Sequence, residues 1–240
     1  MDVDGLLDSR NIELWDNLKS DWDIKVEVGD YDSPGVFTKN ETAIIYMPKN
    51  QLNVPSFTHE LLHVFLHAKG ARIGNYITLY VREKLRLKNV LSENLIDHIG
   101  NCLSHIKMLP MFIQMGFDKR DFLSDYHINK LNDTVIDELK RNFKKKSLFG
   151  NPYFSKTYVD LYIGKYFAAK SCPNTDFDYS KGLHQLKMLN SELYSILDNL
   201  MNKWIDFDVN EIEDPLSPYI DMQFEFVDEI ENWLKSNKTK

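Results

Sequence analysis

The stretch FTHELLHVFLH, Phe57 to His67, decides how this chain is interpreted, because it places three histidines at four-residue spacing within an apolar run. On a helix, His59 and His63 lie one turn apart on one face, close enough to hold a single metal ion. Glu60 completes an HExxH pattern, in which two neutral imidazoles bind zinc and the glutamate accepts a proton from the zinc-bound water. The pattern predicts a zinc cofactor, with His59 and His63 as ligands and Glu60 as the catalytic base.

The apolar neighbours of these side chains favour the metal interpretation over a chance match. Leucine, valine and phenylalanine residues would bury this helix, so ionisable groups on it require a partner. His67 is expected to have a supporting role near the helix end, because one helix cannot easily place three consecutive turns around a tetrahedral ion. Pro55 and Ser56 predict the start of the helix, and Lys69 and Gly70 predict its end.

A catalytic zinc usually has three protein ligands and one open position, so a third ligand is expected elsewhere. The segment SENLIDHIGNCLSHIKMLP, Ser92 to Pro110, predicts a helix in which polar residues interrupt an apolar pattern. At helical spacing, polar residues can share one face of this helix in two ways, each called a stripe here. One stripe is Asp97, Asn101 and His105, and the other is His98, Asn101 and His105. Either stripe inside a core helix indicates a site.

Both segments resemble the ImmA/IrrE family of HExxH zinc metallopeptidases. FTHELLHVFLH is similar to the zinc helix of that family, and DHIGNCLSHIKMLP is similar to its later helix, written ExxANxFAxxLLMP. The resemblance implies Asp97 as the third zinc ligand, in place of the more usual glutamate, with Gly100 in place of alanine. It also implies that TAIIYMP, Thr42 to Pro48, is the strand lining the cleft.

Two alternatives to Asp97 remain open. Glu93 precedes Asp97 by four residues, which is similar to the glutamate-plus-aspartate pattern of thermolysin-like enzymes, and His98 is a weaker option. The resemblance covers approximately residues 20–125 and implies a zincin-type α+β fold. It also implies a protein substrate, since members of the family often cleave a repressor or regulator.

The sequence therefore predicts a zinc-dependent endopeptidase that hydrolyses a protein or peptide substrate by Glu60-assisted attack of zinc-bound water. The candidates for a donor to the oxyanion are His105, Tyr126 and His127, and His105 joins Glu60 in the predicted catalytic set. The alternative is a non-catalytic, zinc-containing module that binds a partner through its C-terminal helices. The intact Glu60 favours the enzyme, because a scaffold needs no base.

The composition of the chain argues against several other classes of protein. A net charge of −7 argues against nucleic acid as a partner, and the basic run LKRNFKKKS, Leu139 to Ser147, is interpreted as a solvated helix end. Cys102 and Cys172 are isolated, which favours a cytoplasmic setting over a disulfide framework. No signal-peptide pattern and no apolar run of about 20 residues is present, so no membrane partner is expected.

The predicted fold class is α+β and mainly helical. A zincin-like unit with a small N-terminal sheet is predicted over residues 1–130, and a helical extension over residues 131–240. The boundary between them is soft, since the two parts can pack as one unit. Asp23 to Tyr31 and Thr42 to Pro48 predict a hairpin or small sheet. Further helices are predicted over Ser92–Leu109, Asp133–Lys146, Ser155–Lys170, Lys181–Trp204 and Ser217–Lys235. Aromatic residues recur at helical spacing in the later helices and are interpreted as core: Tyr158, Tyr162, Tyr166, Phe167, Trp204, Phe224, Phe226 and Trp233.

Overall fold

A computed structural model describes residues 3–88, 90–212 and 218–239 of the chain. Within these ranges the chain is mainly helical with a small sheet near its start, so the predicted α+β class is confirmed. The helices are α1 (Ile12–Asp21), α2 (Val54–Ala68), α3 (Asn75–Glu83), α4 (Leu85–Lys88), α5 (Glu93–Gln114), α6 (Asp133–Asn142), α7 (Lys156–Lys170), α8 (Ser180–Leu189), α9 (Ser191–Asp206) and α10 (Pro218–Ser236). The strands are β1 (Asp23–Gly29), β2 (Gly35–Lys39), β3 (Thr42–Pro48), β4 (Lys144–Lys146) and β5 (Pro152–Phe154).

The chain divides into two compact units. The first takes the chain up to Arg72 together with residues 106–126, and the second takes residues 73–105 and the chain from His127 onward. The units therefore interleave along the sequence, whereas the sequence analysis placed one soft boundary after residue 130. None of the helices in the described ranges is both long and apolar enough to cross a membrane.

The first unit contains a three-stranded sheet in the order β1-β3-β2. The central strand β3 runs parallel to β1 and antiparallel to β2. Asn40 and Glu41 join β2 to β3 with positive φ values of 47° and 58°, as in the two-residue turns that match the twist of a hairpin. The predicted small sheet is present. It also contains β2, which lies between the two predicted strands and was not itself predicted, because Pro34 and Gly35 are typical of a turn.

Helix α2 packs on this sheet. Alternate residues of the strands, such as Ile24, Ala43 and Ile45, form a buried cluster with Leu61 and Val64 of the helix. The period of two along the strands and the helical spacing along α2 thus bury matching apolar faces, which is the usual way that such elements form a core.

Capping residues set the two ends of α2. Asn53 caps the helix by accepting a hydrogen bond of 2.9 Å from the backbone N–H of Ser56, so the helix begins just before the predicted start at Pro55 and Ser56. At the other end, Gly70 adopts a φ of 85°, and the N–H of Ala71 donates to the carbonyl of Leu66. This left-handed residue ends the helix as predicted.

The second unit is helical with an aromatic core. The aromatic side chains predicted as core that are buried are Tyr162, Tyr166, Phe167, Trp204, Phe226 and Trp233. Tyr158 and Phe224 are only partly buried. The core interpretation is therefore confirmed for most of this set, which leaves few of its members for a binding stripe.

Three predicted helices differ from the observed ones. The helix predicted over Asp133–Lys146 ends at Asn142, and the lysines of β4 form a strand that pairs with β5. The helix predicted over Lys181–Trp204 breaks at Asn190, whose extended backbone precedes α9 and whose side chain accepts from the N–H of Leu193. Helix α5 continues past Pro110, and Ser217 lies outside the described residues.

Candidate metal centre

Three histidines of the described chain form a group that can hold a metal ion: His59, His63 and His105. Their ligand nitrogens all lie within 4.8 Å of one another. A tetrahedral zinc ion with Zn–N bonds of about 2.0–2.1 Å separates its donors by roughly 3.4 Å, so modest side-chain rotations suffice to close the group on an ion. The chemistry and spacing of these donors therefore suit a transition metal such as zinc.

The two histidines of α2 are brought together by the helix itself. The ring centroids of His59 and His63 lie 5.0 Å apart with the rings inclined at 65°. This is the arrangement expected for residues one turn apart on a single face. Both side chains are partly buried.

Contacts at both ends hold α2 in place. The buried amide of Asn11 donates to the hydroxyl of Thr58 at 2.9 Å, and Trp15 packs against Phe57 with ring centroids 5.7 Å apart. At the far end, the hydroxyl of Thr38 on β2 and Nδ1 of His67 share a hydrogen bond of 2.7 Å. His67 thus has a supporting role, and its partner is a strand hydroxyl.

Helix α5, which carries His105, is fixed by two contacts within the second unit. A methyl group on Gly100 would lie 2.7 Å from the carbonyl oxygen of Ile73, so only glycine permits this close approach. The indole N–H of Trp204 donates to the carbonyl of Leu103 at 2.7 Å. Both contacts lie within five residues of His105 and fix this part of α5 within the second unit.

An aromatic cluster of the first unit borders His59. The ring of Phe122 lies 4.6 Å from the imidazole of His59, centroid to centroid. Phe112 in turn contacts Phe122 at 5.2 Å and Phe117 at 4.8 Å. Such apolar surroundings lower the local dielectric constant and strengthen the interaction between a metal ion and its ligands.

Glu60 is buried, with 5% of its surface exposed. Burial raises the pKa of its carboxyl group to about 8. Within the described residues it has no hydrogen-bond or ion-pair partner. A nearby dication would offset this effect, because a positive charge favours the carboxylate.

The imidazoles of His63 and His67 are held in the neutral form, which a metal ligand requires. Burial is the main cause that lowers the pKa of His63, and the neighbouring His59 and His67 lower it further. The pKa of His67 falls to about 4, mainly through burial and secondarily through the charge of Arg72. A neutral imidazole has a free lone pair for a metal ion.

The other predicted ligands lie outside the histidine group. Asp97 is exposed and precedes His105 by eight residues, which is about 12 Å along a helix axis. Glu93 is exposed and lies 3.5 Å from Arg82, and Nε2 of His98 lies 3.1 Å from the carbonyl oxygen of Gly164. One ion held by His105 is out of reach of Asp97 on the same helix, but the choice between these ligands remains a prediction.

The predicted oxyanion donors have different environments. Tyr126 is buried, and His127 is exposed. His105 is buried and lies among the ligand nitrogens of the group, and a nitrogen that binds a metal cannot donate to an oxyanion as well. The structure thus gives His105 a position that suits a ligand.

Comparison of the chain with protein-family models, with curated proteins and with solved structures finds no match. The resemblance to the ImmA/IrrE family therefore remains a prediction that rests on the two segments quoted above.

Proposed function

We propose that this protein is a zinc-dependent endopeptidase with a zincin-like site, in which His59, His63 and His105 bind the metal and Glu60 acts as the base. One observation carries the proposal: the HExxH pattern of α2 is joined by a third histidine, from α5, whose ligand nitrogen lies within 4.8 Å of the other two. Two histidines at helical spacing occur by chance, but a third that reaches the same point from a different helix is much less common.

The burial of Glu60 supports a catalytic role. A buried carboxyl group without a hydrogen-bond partner destabilises a fold, so such a group is more readily explained by function. A zinc ion held by His59, His63 and His105 would supply Lewis acidity, which would acidify a water molecule and polarise the scissile carbonyl. Glu60, adjacent to the first ligand, accepts the proton from the attacking water and returns it to the leaving amine.

Strand β2 supports a peptide as substrate. It is an edge strand of its sheet, and Thr38 joins it directly to His67 on the zinc helix. An extended peptide can add to such an edge through backbone hydrogen bonds, which would align it along the helix that carries Glu60. The resemblance adds a repressor or regulator as the class of substrate.

The decisive experiment combines metal analysis with Glu60→Gln. The purified wild-type protein is expected to contain about one zinc per chain. Glu60→Gln should keep that zinc and the fold, and it should lower chelator-sensitive cleavage of candidate regulators encoded nearby by about 10²–10⁴-fold, because the amide cannot accept a proton. Glu13→Gln, at an exposed position of α1, is the matched control and should behave as wild type.

Two results would overturn the proposal. Absence of zinc from protein purified without chelators, and failure to take it up, would remove the metal centre. Equal cleavage by wild type and Glu60→Gln would remove the role of the base and leave the non-catalytic partner-binding module as the better explanation.

A further inference from the structure

The hairpin formed by β4 and β5 carries two exposed apolar side chains at its tip. Leu148 is fully exposed and Phe149 is 91% exposed. They occupy the central positions of a turn closed by a hydrogen bond of 2.8 Å from the N–H of Gly150 to the carbonyl of Ser147. Gly150 has a φ of 77°, as in hairpins whose turn ends in a left-handed residue. This turn holds both side chains away from the protein.

The base of the hairpin is anchored in the core of the second unit. Phe154 of β5 is buried and contacts Phe143 and Trp233, each with ring centroids 5.1 Å apart. Its N–H donates to the carbonyl of Lys238 at 2.7 Å. A rigid base and an exposed apolar tip are what a docking element requires, because little conformational entropy is lost on binding.

The hairpin and the helix ends that flank it are basic in an acidic protein, and three of their cations are the lysines of β4. The segment 139–156 contains six lysine and arginine residues and no aspartate or glutamate, although the whole chain has a net charge of −7. The three lysines of β4 form no ion pair with any carboxylate of the described residues. Lys144 and Lys145 lie over the rings of Phe154 and Tyr158, each 5.5 Å from the centroid, which leaves their charge uncompensated and available to an external anion.

Further cations lie at the base of the hairpin. Lys156, two residues after β5, lines a cavity of about 440 Å³ together with Arg86, Lys235 and Lys238. Within the described part of the chain, only Lys235 of these four pairs with a carboxylate, that of Glu231 at 3.5 Å. The positive charge therefore extends from the strand lysines into this cavity.

We propose that the β4–β5 hairpin docks on an anionic lipid bilayer, with Leu148 and Phe149 entering the headgroup region and the lysines of β4 contacting lipid phosphates and carboxylates. Stable attachment to a membrane surface generally needs two weak signals, an apolar insertion and a basic patch, and the hairpin combines both. This departs from the expectation, drawn from the sequence, of no membrane partner.

The shape and composition of the tip favour a bilayer over a macromolecular partner. A stable protein interface buries roughly 800 Å² on each side, whereas two side chains on a convex turn cover far less. Single-stranded nucleic acids stack on aromatic rings, which gives no role to the aliphatic Leu148. A bilayer surrounds a convex tip and accepts both side chains.

Vesicle sedimentation tests the proposal with the full-length protein. Wild type is expected to bind vesicles with about 30 mol% phosphatidylserine at about 0.1 M salt, and to bind pure phosphatidylcholine vesicles much more weakly. Replacing both tip residues, Leu148→Ser with Phe149→Ser, should weaken binding at least about tenfold. Lys144→Gln with Lys146→Gln should weaken it by about fivefold per lysine.

Controls separate insertion from loss of structure. Leu79→Ser removes an exposed apolar side chain from α3 and should leave vesicle binding unchanged. Phe149→Trp should show a blue-shifted emission on phosphatidylserine vesicles beyond that of wild type. The proposal is overturned if wild type stays unbound on these vesicles, if the double serine variant binds as wild type does, or if the tip is needed for oligonucleotide binding and not for vesicle binding.

Discussion

Helices α2 and α5 contribute to the candidate metal centre in different ways. On α2, His59 and His63 are adjacent because local helix geometry makes them so, and any stable helix over this segment would pair them. On α5, His105 follows His63 by 42 residues, so no local helix geometry pairs it with the other two. Local spacing thus predicts a pair of ligands, whereas the third depends on tertiary structure.

The largest expected effect separates the ligands on α5. His105→Ala is expected to raise the dissociation constant for zinc by more than about 100-fold, which exceeds the loss typical of removing an outer partner of a ligand. Asp97→Ala should leave the constant nearly unchanged, since its exposed side chain lies outside the histidine group. Zinc titration against a chromophoric chelator measures both values.

The opposite result would restore the ligand set implied by the family resemblance. If Asp97→Ala loses zinc and His105→Ala keeps it, Asp97 is the ligand and His105 returns to the role of oxyanion donor. Glu93→Ala and His98→Ala complete the series. The unfolding transition of each variant without metal shows whether a loss of zinc is a loss of fold.

The sequence predicts that His59 and His63 lie together but does not predict that His105 joins them, for a geometric reason. Residues four apart on a helix are rotated by about 40° relative to one another, so a stripe at strict four-residue spacing winds around the helix. Asp97 and Asn101 are consequently exposed, whereas His105, two steps beyond Asp97, is buried. The sequence feature that indicates a buried His105 is its apolar neighbours, and not its four-residue spacing from Asn101 and Asp97.

As at the candidate site, the local features of the fold were predictable from the sequence and the long-range ones were not. Element types that follow from local patterns were correct, including the sheet, α2 and the aromatic core of the later helices. Errors arose where a predicted helix is interrupted or cut short: Asn190 separates α8 from α9, and the lysines of β4 form a strand where the end of a helix was predicted. The interleaving of the two units depends on contacts between distant segments, which spacing along a single sequence does not reveal.

A smaller effect tests how α5 is positioned. Gly100→Ala should lower the free energy of unfolding by about 1–2 kcal/mol, because the cost of the steric clash with the carbonyl of Ile73 exceeds the gain in helix propensity. Gly164→Ala, in the interior of α7, is the matched control: its new methyl would meet only ordinary contacts, at 3.5 Å or more. This control should be neutral or more stable than wild type by up to about 1 kcal/mol. Urea unfolding of both variants decides the comparison, and equal stability of the two would remove the argument for a close approach at Gly100.

The smallest effect concerns α2, whose far end is held by the hydrogen bond between Thr38 and His67. Thr38→Val keeps the shape of the side chain and removes the hydroxyl, which leaves a partly buried imidazole nitrogen without that partner. The free energy of unfolding should fall by about 1 kcal/mol, a typical net value for such a bond. Thr38→Ser retains the hydroxyl and should recover most of the loss in the same urea titration.

Because His67 lies one turn beyond His63, the bond also limits rotation of the end of α2, so zinc affinity should fall less for the serine variant than for the valine variant. Loss of stability in the serine variant but not in the valine variant would show that the methyl group of Thr38, and not its hydroxyl, holds this end of the helix.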